Sequence, residues 1–124
     1  MEKINYENIY PRHILELYKN PSNFGLLENP THESTEYNSI CGDEITVQIL
    51  VKDGKISNAK FSGSGCVLSI VVASLLTNKI KGMKIKDVKN LDKDDIKKLF
   101  KTKINSARIK CALLPLEATK KALK

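Results

Sequence analysis

Asp53-Gly54 lies between two runs of alternating residues, and that arrangement commits the middle of the chain to an antiparallel hairpin. An Asp-Gly pair accepts the positive φ angles of a two-residue type I′ turn, whose twist matches the flanking strands. Ile45, Val47, Ile49 and Val51 share one face of the first strand, as the two-residue period of a strand requires. Regular pairing sets Val51 against Ile56 but then Val47 against Lys60, which leaves Ala59 and Phe61 on the opposite face. One extra residue at Ser57-Asn58 returns Ile56, Ala59 and Phe61 to a common face, so a β-bulge is expected there. A third strand over Ser34 to Ile40 would complete a small antiparallel sheet.

Residues 66–78 are apolar on nearly every side, which marks a helix buried within the core and not one lying on it. Tyr10, Ile14, Leu17 and Tyr18 recur at helical spacing, with Pro11 suited to the first turn and Asn20-Pro21 ending the helix. Residues 20–35, with Pro21, Gly25 and Pro30, read as a loop. Asp92 reads as the N-cap of a helix carrying Asp94 and Asp95 in its first turn, with Leu91 and Ile96 as a hydrophobic staple and Ile96, Leu99 and Phe100 inward. A last helix is expected from Ala112 to Leu123, with Pro115 tolerated in its first turn.

Every cysteine stands where one kind of structure gives way to another: Ile40-Cys41-Gly42-Asp43, Gly63-Ser64-Gly65-Cys66 and Arg108-Ile109-Lys110-Cys111. None lies inside an apolar run, unlike the buried structural cysteines that are the ordinary alternative. Three thiols and the Asp43 carboxylate form a four-ligand set. Thiolates suit zinc or iron, and a carboxylate oxygen is the harder and more labile donor. Cys66 and Cys111 each fall beside an expected helix N-terminus, where free amide groups favour a thiolate. The loop after Gly42 is expected to be exposed. His13 and His32 lack a second donor nearby in sequence and read as surface or satisfied histidines.

The odd cysteine count excludes a simple disulfide framework, and Met1 to Tyr6 contains no apolar stretch of the secretory kind. The longest apolar run, Val67 to Leu76, is too short to span a bilayer. The expectation is therefore one domain over residues 1–124 in a reducing cytoplasm, with no membrane partner. Net charge is +7, and residues 79–110 hold eleven lysines against four aspartates. With two arginines and 6% aromatic residues, that stripe has little with which to read or stack bases, and it reads as a solvated helical face without nucleic acid.

Asn20-Pro21-Ser22-Asn23-Phe24-Gly25 and Asn38-Ser39-Ile40-Cys41-Gly42-Asp43 resemble the U-type iron–sulfur cluster assembly proteins: IscU, SufU and the N-terminal domain of NifU. So do Asp53-Gly54-Lys55-Ile56, the segment from Phe61 through Cys66 to Ser69, and the segment from Arg108 through Cys111 to Leu116. The resemblance covers nearly the whole chain in order. It implies an α+β fold, a three-stranded antiparallel sheet with helices packed on one face, and a site at one end. It also implies Cys41, Asp43, Cys66 and Cys111 as ligands of Zn2+ or a transient [2Fe-2S] cluster, a cysteine desulfurase as sulfur donor, and acceptor apoproteins as recipients.

Two departures bear on subtype. IscU-type members carry histidine where this chain has Lys110, and Asn105 to Ile109 does not match their Leu-Pro-Pro-Val-Lys chaperone segment. SufU-type members usually carry an insertion between the second and third cysteines, and the interval from Cys66 to Cys111 is short. The chain thus joins SufU-like ligands to an IscU-like length. Whether it is an enzyme stays open. An assembly scaffold, a zinc-bound sulfurtransferase that holds no cluster, and a zinc-stabilised basic module for nucleic acid are the readings to separate. On the first, Cys111 is the expected sulfur acceptor, on a mobile approach to the last helix. Asp43 is the labile ligand, and Lys110 steadies a persulfide anion.

Overall fold

Asp53 (φ 54°) and Gly54 (φ 76°) close the expected hairpin between β2 (Asp43–Lys52) and β3 (Lys55–Ser64). The structure is a computed structural model, and it describes residues 10–124. Met1 to Tyr6 lies outside the described residues. Val51 pairs with Ile56, but Ile49 pairs with Ala59 and Val47 with Phe61, so Ser57 is the extra residue of a bulge. That insertion puts Ile45, Val47, Ile49, Ile56, Ala59 and Phe61 in the core together.

The third strand, β1 (His32–Asn38), pairs antiparallel with β2, giving the order β1-β2-β3. It starts and ends two residues earlier than the sequence suggests. The Thr31 amide already donates to the Ile49 carbonyl (2.9 Å), so pairing begins directly after Pro30. At the other end, the Asn38 side chain accepts from the Ile40 amide (3.1 Å) and turns the chain before Ile40.

Helix α2 (Val67–Ile80) is buried along almost its whole length. It and α5 (Ile109–Ala122) pack on the sheet, and α1 (Arg12–Lys19) and α4 (Lys93–Phe100) pack against α2. A short helix, α3 (Ile85–Lys89), escapes sequence reading because five residues are too few to display a period. The free edge of β3 is satisfied by loop backbone. Phe61 exchanges hydrogen bonds with Asn23 and Gly25, and Ile56 does so with Gly82 and Met83. This removes an exposed template for pairing with another chain. Asn23 adopts the left-handed conformation (φ 64°), and its amide donates to Thr77 Oγ1 (3.0 Å) and Asn78 Oδ1 (2.8 Å). The Asn20–Gly25 motif thereby ties a loop to the end of α2.

Asp92 caps α4 as expected. Its carboxylate accepts from the Asp95 amide (3.1 Å), and the Asp95 carboxylate accepts from the Asp92 amide (2.9 Å). Chiefly through the Asp95 amide, this holds the Asp92 carboxyl below its ordinary value of 3.8. A lowered folded-state value means that the cap contributes fully above the ordinary value and is lost as pH falls through the lowered one. Asp92→Ala is expected to speed amide exchange over residues 93–97 at neutral pH, and to make no difference once the parent cap is protonated.

Candidate metal centre

An antiparallel three-stranded sheet brings the end of β1, the start of β2 and the end of β3 to one edge. Asn38 pairs with Asp43, and Glu44 pairs with Ser64. Cys41 lies in the β1–β2 turn, Asp43 opens β2, and Cys66 is the N-cap of α2. The first turn of α5 adds Cys111 from the far end of the chain. All three cysteines are free thiols: Cys41 is exposed, Cys66 half-buried and Cys111 buried. Ligand atoms of Cys41, Asp43 and Cys111 lie within 4.8 Å of one another. Cys66 lies outside that group, its sulfur 3.4 Å from Asp43 Oδ2.

Four local expectations are corrected. Asp43 is buried, with only 4% of its surface exposed, because its carboxylate is held at the start of α2. Oδ1 accepts from the Cys66 amide (3.1 Å) and Oδ2 from the Ser69 hydroxyl (2.5 Å). Cys111 lies within the last helix and not on the approach to it. Asn105 caps a 3-10 turn over Ser106–Arg108, accepting from the Ala107 amide (2.9 Å), and α5 follows from Ile109. The helix therefore starts three residues early, and Pro115 is an interior residue and not a first-turn one. Nor does metal-free Cys111 gain thiolate character from its helix. Burial first, and then the neighbouring Cys41 and Cys66, push its thiol well above the ordinary range.

Two residues of the site carry no ligand chemistry of their own. The Asn38 amide lies 3.7 Å from both Cys41 Sγ and Cys111 Sγ, spanning the two sulfurs as a donor. Ser69 is fully buried between Asp43 and the backbone of α5, with its hydroxyl 3.1 Å from the Cys111 carbonyl. Gly65 makes room for this: a Cβ there would come within 3.0 Å of Ser69 Cβ and 3.3 Å of Asp43 Cγ. The spacing from Cys66 to Ser69 is one helical turn, which is the signal that could have found the serine. Lys110 is exposed, and with Glu117, Tyr37 and Ile40 it lines a shallow cavity beside the site.

The donor chemistry fits a metal. Three thiols and one carboxylate converge, one thiol faces solvent, and no disulfide consumes any of them. The profile of the NifU-like N-terminal domain family matches residues 9–124. A Thermotoga maritima protein named as the iron–sulfur cluster assembly scaffold IscU is 33% identical, over 96% of this chain and 95% of its own. A Bacillus subtilis protein named as the zinc-dependent sulfurtransferase SufU is 32% identical, over 96% and 92%. The crystal structure of a SUF-system scaffold from Fervidobacterium islandicum superposes with a TM-score of 0.77 at 28% identity, covering 97% of this chain and all of that one. Ordered cysteine motifs, sheet topology and similarity along nearly the full length agree, and the chain belongs to the NifU-like N-terminal domain family of U-type iron–sulfur assembly proteins.

Proposed function

We propose that this protein assembles or passes on an iron–sulfur cluster at Cys41, Asp43, Cys66 and Cys111, using sulfur received from a cysteine desulfurase. The observation that carries the reading is the convergence of three free thiols on one carboxylate at an open end of the sheet. The cluster is cargo, delivered to acceptor apoproteins. A resident zinc ion, where one is held, would keep the thiols as thiolates and poise them for attack.

Burial moves the proposed entry point for sulfur from Cys111 to Cys41. A thiol with 1% of its residue surface exposed is out of reach of a donor protein, whereas Cys41 faces solvent. The Cys41 thiolate attacks the terminal sulfur of the donor persulfide. A new sulfur–sulfur bond forms at Cys41, the donor's own breaks, and its electron pair leaves with the donor cysteine thiolate. The Asn38 amide is placed to steady charge on Cys41 and Cys111 as sulfur accumulates. Asp43 contributes the oxygen ligand that exchanges most readily.

Lys110, together with the 32% identity to the protein named SufU, supports the second reading, a zinc-bound sulfurtransferase that holds no cluster. Metal and acid-labile sulfide content, measured on protein purified with and without air, separates the two. The expected result is about one zinc per chain as purified, bound by three sulfurs and one oxygen, with iron and sulfide acquired on anaerobic reconstitution. Zinc that resists replacement under reconstitution favours the sulfurtransferase. A nitrogen-dominated metal shell, or no metal uptake at all, overturns both.

A further inference from the structure

Ser69 offers one proton to two oxygen acceptors, with Cys66 Sγ as a third neighbour at 3.6 Å. Its hydroxyl lies 2.5 Å from Asp43 Oδ2 and 3.1 Å from the Cys111 carbonyl oxygen. The second acceptor is uncontested for a covalent reason. In an α-helix the Cys111 carbonyl would take the amide of residue 115, and that residue is Pro115, which has none. A fully buried hydroxyl left without an acceptor is costly. With only Asp43 to bond, Ser69 would resist any movement of the carboxylate. The carbonyl released by Pro115 gives the proton a second place to go.

We propose that Ser69 is a positioning residue with two settings. It holds the Asp43 carboxylate against α2, and it turns to the Cys111 carbonyl when that carboxylate engages metal or cargo. Pro115 leaves the second setting uncontested by a backbone amide. Ser69 thus competes for the labile ligand Asp43, and its hydroxyl also lies 3.6 Å from Cys66 Sγ. The inference rests on the site reading above and adds to it a control over how readily Asp43 lets go.

The test uses zinc alone, loaded on the full chain, and follows its release to a chelator. Removing the competing hydrogen bond to a charged group in Ser69→Ala is expected to slow release about tenfold. Pro115→Ala restores an amide for the Cys111 carbonyl, strengthens the hold of Ser69 on Asp43, and is expected to speed release. In an Asp43→Ala background, Ser69→Ala should change the rate less than about twofold, since the two residues form one coupled pair. Ser74→Ala is the control. Ser74 is also buried on α2, but its hydroxyl donates only to the Ile70 carbonyl (3.1 Å), so its loss should leave release unchanged. Faster or unchanged release in Ser69→Ala, or an effect that persists without Asp43, overturns the proposal while the metal site stands. Should Ser69→Ala not fold, the opposite sign expected of Pro115→Ala decides alone, and slower or unchanged release there overturns it. A parent chain that takes up neither zinc nor iron overturns the site reading and this inference together.

Discussion

Asp43→Ala is expected to slow transfer of a reconstituted cluster to an acceptor apoprotein by at least about tenfold while the cluster itself persists. The factor corresponds to roughly 1.4 kcal/mol of barrier. Three thiolates alone hold their cargo without a ligand that detaches easily, because sulfur is the softer and more tenacious donor. The substitution also removes the acceptor of the Cys66 amide, and Ser69 turns to the Cys111 carbonyl. Folding stability should therefore fall by about 1 kcal/mol, the ordinary effect of one lost hydrogen bond. Asp43→Cys is expected to bind metal more tightly than the parent and to transfer cargo more slowly. Metal affinity, urea unfolding and transfer rate, all measured on the same three proteins, check the set. Transfer at the parental rate in both variants would show that Asp43 does not govern release.

Gly63→Ala is expected to carry the largest stability loss of any glycine-to-alanine change in this chain. Gly63 adopts φ 123°, a region closed to other residues, and a Cβ there would stand 2.0 Å from the Glu44 carbonyl oxygen. The obstacle is backbone of the neighbouring strand, which cannot step aside as a side chain can. Strain of that kind costs on the order of 1–3 kcal/mol before the clash is counted, so about 3 kcal/mol or more is expected in urea unfolding. The damage should not stay local. Glu44 follows Asp43 in β2, so a displaced Glu44 shifts the carboxylate, and zinc affinity should fall even in the fraction that folds. Gly25→Ala, also at positive φ but with open space around its Cβ, should lose less.

Local rules carried most of this architecture. The bulge at Ser57 was legible because a two-residue period leaves only one way to gather Ile56, Ala59 and Phe61 on the core face. The capping box on α4 was legible because Asp92 and Asp95 need nothing beyond their own turn. What escaped depends on contacts distant in sequence. The start of β1 at His32 is set by where the chain after Pro30 meets β2 at Ile49. The early start of α5 is set by Asn105, whose capping role is invisible until the 3-10 turn exists. That same shift moved Pro115 from a harmless first-turn position to the helix interior, where it acquired a purpose that spacing could not reveal. The chemistry-bearing residues at the site stood out by type. Asn38 and Ser69 entered only as motif residues without a role, because an amide and a hydroxyl are common everywhere and matter here only through what they touch.

The burial of α2 on nearly every side has a consequence for synthesis. Its last residue, Ile80, leaves the ribosome roughly thirty residues before α5 begins at Ile109, an interval of a few seconds at about 5–20 residues per second. During those seconds the hairpin and one apolar helix exist without the element that covers them. A chain halted at Ile104 should bind hydrophobic dyes and precipitate, and the complete chain should not. The last helix thus supplies Cys111 and the lid of the core at the same moment, so no nascent chain can offer a finished metal site before its interior is closed.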